Sequence, residues 1–354
     1  DAIREYGGNT HILFLSAYKN FDYVKQAIRL GIDDYILKSD LEEDGFLRKI
    51  LKLKEENKIA ELKALKAQIE PHFLFNALNV IGAYCRTDGE KAKELIFIDN
   101  KEELTDIIPN KKNFFLIGNG TNTLINDEYL DMTFISLKKL KDISVEETEK
   151  DYDLVRIEAG LDFDELIDFM EESDYTGLEN IAGVPGSVGG LVNMNGGAYG
   201  TEIFDCIEEV EICDLEGNIK KYKKSELEFQ YRTTQIKKNK WIVISVLFRF
   251  YRGFDKVCVE DKKGQREQKH PLELPSLGST FKNPEGHFAA MLISDAGLKE
   301  FRIGNIMVSP KHPNFVVNLG DGKFLDVIAV VEHVKNKVLE KFNIQLETEI
   351  IILR

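Results

Sequence analysis

Cysteine is scarce in this chain and scattered: Cys85, Cys206, Cys213 and Cys258 form no CxxC pair. Neither a disulfide framework nor a structural metal site is expected from such spacing. No apolar run approaches the roughly 18 residues needed to span a bilayer. The opening DAIREYGGNT lacks the basic-then-apolar order of a secretory leader. Basic residues are outnumbered, 47 against 61 acidic ones, for a formal net charge of -14. A general nucleic-acid surface needs a basic footprint, so nucleic acid is not an expected partner. A local basic pocket for a small phosphorylated molecule is still compatible. The expectation is a soluble, cytoplasmic chain with no membrane partner. What is present, 43% hydrophobic and 31% charged residues over 354 positions, allows two or three folded domains.

The chain reads as unlike pieces. In residues 1–50, His11-Ile12-Leu13-Phe14-Leu15 is a buried-strand candidate followed by Ser16. Residues 21–30 have helical spacing through Phe21, Val24 and Ile28, with Gly31 placed as a C-cap, and Tyr35-Ile36-Leu37 is a second strand ending at Lys38. This order resembles the last third of a response-regulator receiver domain. The phosphorylated aspartate of that family lies on an earlier strand, before this fragment begins.

Residues 51–95 are different. Ile59, Leu62, Leu65 and Ile69 form one helical stripe in a Lys/Glu-rich stretch, the pattern of a bundle or coiled-coil helix. Self-association through residues 51–80 is one expectation. The stripe runs into Gln68-Ile69-Glu70-Pro71-His72-Phe73-Leu74-Phe75-Asn76, which resembles the phosphoacceptor box of bacterial sensor histidine kinases. That family phosphorylates the histidine matching His72 from a downstream ATP-binding domain, and no such domain follows here.

From about residue 96 the grammar changes again. The apolar run Phe114-Phe115-Leu116-Ile117 enters the turn Gly118-Asn119-Gly120-Thr121-Asn122, where backbone N–H groups can approach a pyrophosphate without Cβ interference. A second segment, Leu178 to Gly200, contains GVPGSVGG and MNGGAYG, with seven glycines between Gly183 and Gly200 and almost no charge. A solvated loop is normally more polar, so this segment is read as backbone close around a large flat ligand. The candidate cofactor residues are Gly118, Asn119, Gly120, Thr121 and Asn122 in the first segment. In the second they are Gly183, Pro185, Gly186, Ser187, Gly189, Gly190, Asn195, Gly197 and Ala198. Farther on come Tyr231-Arg232-Thr233-Thr234, then Leu277-Gly278-Ser279-Thr280-Phe281-Lys282-Asn283-Pro284. The strings Val308-Ser309-Pro310-Lys311-His312 and Leu346-Glu347-Thr348-Glu349-Ile350 complete the series. Val327, Val330, Val334 and Val338 mark a core helix, and residues 287–296, ending at Gly297, mark another.

These strings, in this order, resemble the compact branch of the UDP-N-acetylenolpyruvoylglucosamine reductase family. The resemblance implies an α+β fold: a two-part FAD-binding domain over 96–254 and a smaller α+β substrate domain over 255–354, preceded by an α/β fragment and a long helix. It implies FAD and NADPH as cofactors and a UDP-sugar enolpyruvyl ether as substrate. Reduced flavin passes hydride to the vinyl carbon, and the resulting enolate is protonated. Arg232 matches the arginine that bears on the enolate, Ser279 the proton donor, and Glu349 the carboxylate orienting the reacting end. Tyr231, Lys282 and Asn283 are the substrate-binding candidates, and His312 is either a substrate contact or a hydrogen-bonded structural residue. The chain departs from the family at Thr234, usually serine, and Ile236, usually aromatic. It also lacks, before Ile96, the opening strand of the type TFxxGG that lies against the flavin. The rival readings are a two-component signalling protein acting through His72, or an inactive fusion.

Overall fold

The computed structural model describes residues 13–16, 34–37, 92–128 and 130–354. The chain divides into two compact units, Asp1–Ile69 and Glu70–Arg354. In the first, β1 (Leu13–Ser16) and β2 (Asp34–Leu37) pair in parallel, Leu13 opposite Asp34 and Ser16 opposite Leu37. The expected helix at 21–30, the helix at 51–80 and His72 lie outside the described residues.

The second unit opens with a three-stranded parallel sheet. Its strands are β3 (Ala92–Phe97), β4 (Phe114–Ile117) and β6 (Leu130–Ser136), in the order β3-β6-β4; β5 (Thr123–Ile125) leaves this sheet to pair elsewhere. The sequence places the junction between residues 95 and 96, but β3 already begins at Ala92. Lys93 and Glu94 mask that start, because an edge strand carries charge without penalty. Between β3 and β4, α1 (Lys101–Ile107) is capped by Asn100, whose Oδ1 accepts from Glu103 N at 2.9 Å.

A larger antiparallel sheet follows, built from β7 (Ile143–Thr148), β8 (Tyr152–Glu158), β9 (Ile207–Cys213), β10 (Ile219–Lys223) and β11 (Ile242–Arg252), in the order β10-β9-β11-β8-β7. The two-residue strand Tyr175–Thr176 adds to β11. The central β11 reads IVISVLFRF and is buried along nearly its whole length, as a strand covered on both faces must be. By contrast β8 alternates buried and half-buried residues. Between β8 and β9 run α2 (Phe163–Glu172) and the short α3 (Val188–Met194); α4 (Gln235–Lys238) precedes β11. Most of this assembly shares one core, drawn from Ile98 through Val259.

A second core runs from Phe281 to Leu346. After α5 (Lys256–Lys269), four antiparallel strands, β12 (Ser276–Ser279), β13 (Arg302–Ile303), β14 (Ile306–Val308) and β15 (Phe315–Asn318), take the order β12-β15-β14-β13. Two helices pack on them, α6 (Ala289–Asp295) and α7 (Phe324–Phe342). Val330, Val334 and Val338 are fully buried on α7, the stripe expected from sequence. The last strand, β16 (Ile351–Leu353), then leaves this core and pairs in parallel with β5, Ile351 opposite Thr123. The chain's end therefore returns to the strand that follows the first glycine turn. Among the described residues no helix is long and apolar enough to cross a membrane, and no cluster of potential metal ligands occurs.

Candidate active site

The two glycine segments are built against each other. A Cβ on Gly118 would lie 2.9 Å from Ser187 Oγ, so the first turn closes directly on the start of α3. Thr121 Oγ1 donates to the Pro185 carbonyl at 3.2 Å, and Asn119 Nδ2 donates to Asp162 Oδ1 at 2.5 Å. Asn122 Nδ2 donates to the Glu349 carbonyl at 3.2 Å. The side-chain donors of the first turn thus hold the protein together, and the turn's backbone is what it presents outward.

Between these segments and the second core lies a cavity of ≈ 570 Å³, within the range of sites that take cofactor-sized molecules. All of Gly118–Asn122 line it, as do Gly183, Pro185, Gly186, Ser187, Gly190, Gly197 and Ala198. Phe115, Leu116, Leu191, Met194 and Leu277 supply apolar wall. Gly189 and Asn195 are not on the lining. Gly189 is a packing glycine: its N–H donates to the Ala159 carbonyl at 2.8 Å, and a Cβ there would stand 2.7 Å from Ala159 Cβ. Asn195 is fully buried behind the wall, with Nδ2 donating to Glu202 Oε2 at 2.5 Å.

Arg232, Ser279 and Glu349 all line the same cavity. Arg232 sits in a hairpin between the short strands Phe229–Gln230 and Thr233–Thr234, in the left-handed region at φ 56°. That conformation costs a non-glycine residue of order 1 kcal/mol, and three bonds hold the side chain in return. Nε donates to Glu349 Oε1 at 2.9 Å, Nη1 to the Asn195 carbonyl at 3.3 Å, and Nη2 to the Gly197 carbonyl at 2.7 Å. Burial pushes the Glu349 carboxyl above its ordinary range, against the opposing pull of Arg232. Its backbone is locked from both sides, with Glu349 N donating to the Thr280 carbonyl at 2.8 Å and Ile351 N to the Asn122 carbonyl at 2.9 Å. Ser279 ends β12, opposite Phe315. Among the described residues its hydroxyl has no protein hydrogen-bond partner.

Of the substrate candidates, Asn283 lines the cavity, but Tyr231 and Lys282 do not. Tyr231 Oη accepts from Asn283 N at 3.4 Å, and Lys282 pairs outward with Glu347 at 3.2 Å. The departures at Thr234 and Ile236 are accommodated. Thr234 Oγ1 caps α4 by accepting from Lys237 N at 3.0 Å and donates to the Asn193 carbonyl at 2.7 Å; Ile236 is fully buried. A hydroxyl and an apolar body are what the two positions need, and both are supplied.

Several lining residues escape a sequence reading. Arg266, Lys269 and His270 come from the end of α5, whose charged sequence reads as a solvent face. Lys237 comes from α4, and burial pushes its pKa down. His270 and His312 meet edge to face, ring centres 5.2 Å apart, beside Phe315. Burial, and next the neighbouring His312, push the His270 pKa down to about 4. His312 lines the cavity too, and its Nδ1 is buried without a partner.

Comparison with known proteins agrees with this geometry. The chain is 52% identical over 268 residues to the UDP-N-acetylenolpyruvoylglucosamine reductase of Fusobacterium nucleatum, spanning 75% of this chain and 94% of that protein. The chain belongs to the UDP-N-acetylenolpyruvoylglucosamine reductase family. A reductase of the same name from Clostridium botulinum is 40% identical over 272 residues, or 75% of this chain and 87% of that one. The crystal structure of the family's member from Thermus caldophilus superposes with a TM-score of 0.63 at 28% identity, covering 73% of this chain and 92% of that one. The reductase family's C-terminal domain model matches residues 270–353, and an FAD-binding-domain model matches 95–223. A histidine-kinase model matches residues 60–99, which include His72 and run through β3. The reductase match therefore spans the cavity and both cores, and the kinase-like match stops before the first glycine turn.

Proposed function

We propose that the chain is an FAD-dependent oxidoreductase of peptidoglycan synthesis, reducing UDP-N-acetylglucosamine enolpyruvate to UDP-N-acetylmuramate with NADPH. The observation that carries this reading is the convergence of Arg232, Glu349 and Ser279 on one glycine-walled cavity in a chain of this family. The residues fit a dinucleotide. The cavity has the volume, its walls alternate apolar surface with exposed backbone, and a buried arginine nitrogen on the lining, Arg266 Nη2, lacks a partner. The first glycine turn and the segment from Gly183 to Ala198 would hold the FAD, which supplies hydride to the substrate's vinyl carbon.

The remaining work falls to the protein. Hydride addition leaves charge on the enolate next to the substrate carboxylate, and a fixed cation there lowers the barrier. Arg232 is that cation. A guanidinium has five N–H groups, and the three bonds to protein leave two to face the substrate. Ser279 delivers the proton to the enolate carbon, its hydroxyl uncommitted to protein. Glu349 holds Arg232 in register and orients the reacting end. Asn283 and Lys237 bind the substrate's polar and anionic groups, with Tyr231 and Lys282 as supports for the Asn283 loop. Scattered thiols and a nucleotide reductant fit a cytoplasmic setting.

The deciding experiment follows NADPH oxidation by the purified, FAD-supplemented protein under anaerobic conditions. Oxidation coupled to the enolpyruvyl substrate is expected, with UDP-N-acetylmuramate as product. Flavin that binds but is never reoxidised by that substrate would sink the reading.

A further inference from the structure

Arg266 is an anomaly in its helix. The α5 sequence KVCVEDKKGQREQK is almost wholly charged and polar, yet Arg266 is only 9% exposed. Its Nε donates to the Ala182 carbonyl at 3.1 Å, and its aliphatic stem lies against Gly183, where a Cβ would come within 3.3 Å of Arg266 Cδ. The guanidinium also faces the Tyr199 ring at 5.7 Å. None of these contacts is an anion, and the attraction of the Asp164 carboxylate does not offset the burial. Nη2 is buried without a hydrogen-bond partner on the wall of the cavity.

A buried charge whose attractions fall short of its desolvation cost is destabilising. Burial dominates here and pushes the pKa down; Tyr199 and Asp164 oppose that, and Arg232 adds to it. Lys269, on the same lining, is a second cation and donates to the neutral Gln265 side chain, so the lining's positive charge exceeds that of Arg266 alone. With Nε fixed on Ala182, the fork's outer nitrogens are oriented in advance, and a planar fork of this kind matches phosphate oxygens. The anchor itself belongs to the glycine segment that continues through Pro185 to the first turn.

We infer that Arg266 is a diphosphate-binding residue, its free Nη2 donating to a phosphate oxygen of a nucleoside diphosphate held in the cavity. The assignment rests on the cavity being a nucleotide site, as proposed above. Three molecules of that reaction carry a diphosphate, the FAD, the NADPH and the UDP-sugar, and the site's chemistry is shared by all three.

The test compares wild type, Arg266→Met and Arg266→Lys, all as full-length chains. Apoprotein affinity is measured for FAD and, by competition, for ADP; affinities for UDP and for NADP+ are measured on the FAD-loaded protein. A charge-assisted bond to a buried oxyanion is worth roughly 10- to 100-fold in affinity. FAD and ADP weakened together by Arg266→Met assign the residue to the cofactor's diphosphate. UDP or NADP+ weakened, with FAD and ADP unchanged, assigns it to the substrate's or the reductant's. Arg266→Lys, which keeps the charge and loses the fork, should fall between. Without nucleotide, Arg266→Met should melt no lower than wild type, since it removes a charge whose burial outweighs its attractions; a merely structural arginine would lower the melt. FAD weakened with ADP unchanged would overturn the assignment by pointing to the flavin ring, and so would four unchanged affinities. If wild type itself takes up no FAD, it is the flavoenzyme reading that falls instead.

Discussion

Arg232 and Glu349 lie 117 residues apart in sequence and meet through Nε and Oε1 at 2.9 Å. One belongs to the hairpin beside α3, the other to the segment leading into β16. Their contact fastens the end of the substrate-side core to the wall of the glycine-lined half. It also places a carboxyl in a site where burial outweighs the attraction of its cation. That imbalance can be read out by pH.

Because the folded-state pKa of Glu349 is raised, the native state holds its proton more tightly than the unfolded chain. Linkage then makes this group's contribution fall as pH rises from the unfolded value through the folded one. Glu349→Gln has no such titration. The melting temperature of Glu349→Gln minus that of wild type should therefore move in the variant's favour as pH rises from the ordinary glutamate value toward neutrality. A difference that is flat across this window, or runs the other way, would mean that Arg232 outweighs burial.

Ser279→Ala tests the proposed proton donor. Flavin reduction by NADPH should be nearly unchanged, because the hydroxyl has no part in it. Reoxidation by the enolpyruvyl substrate should slow by about 100- to 10,000-fold, the usual span for a lost general acid. Stopped-flow absorbance separates the two half-reactions, and equal rates in both would remove Ser279 from the chemistry.

His270 gives a prediction of the opposite sense. Its pKa falls from 6.5 to about 4 on folding, with burial the first cause. The stability associated with its neutral form is complete above pH 6.5 and declines as pH falls toward 4, because the unfolded chain takes up the proton first. His270→Phe keeps a flat ring beside Phe315 and removes the titration. Its denaturation midpoint should lose less than wild type's over that window; identical profiles would show that His270 ionises freely in the folded protein.

The structure brings Arg232, Ser279 and Glu349 to one cavity with most of the glycine-segment residues; in the sequence each of the three, taken singly, reads as an ordinary surface or turn residue, and only the order of the strings joins them. The core helix was legible, since Val330, Val334 and Val338 repeat at helical spacing. Side-chain direction was not legible. Nothing in GVPGSVGG distinguishes Gly190, on the cavity, from Gly189, which meets Ala159 from a different strand end. Nor does a run such as KKGQREQK announce that its arginine is the buried member, because that depends on where α5 crosses the Ala182–Gly183 backbone. The early start of β3 was hidden for a similar reason: its pairing with β6 is long-range.

Gly189→Val separates packing from ligand binding within the glycine segment. The first added carbon would stand 2.7 Å from Ala159 Cβ and 3.1 Å from the Ala159 carbonyl oxygen. Overpacking of this kind costs typically 1–3 kcal/mol, and α3 would have to shift from β8 to relieve it. The expected result is a denaturation midpoint lowered by about that energy, with FAD affinity reduced only through α3. Full stability with abolished FAD binding would instead make Gly189 a ligand contact.

The last prediction concerns the segment ahead of β3. The resemblance calls for an opening strand of the TFxxGG type against the flavin, and the sequence before Ala92 does not provide it. The glycine turns at 118–122 and 183–190 are in place, so the nucleotide end of the cavity keeps its backbone contacts. One wall of the flavin's enclosure is what would be reduced. Apolar burial contributes about 25 cal/mol per Å², so losing roughly 100 Å² costs about 2.5 kcal/mol, nearly two decades of affinity. The purified protein should then be largely colourless and turn yellow when FAD is added. Grafting a TFxxGG strand immediately before Ala92 should tighten binding toward stoichiometric retention. The measurement is flavin absorbance before and after dialysis, for the natural and grafted chains side by side. Stoichiometric FAD surviving dialysis in the natural chain would show that another segment closes that wall.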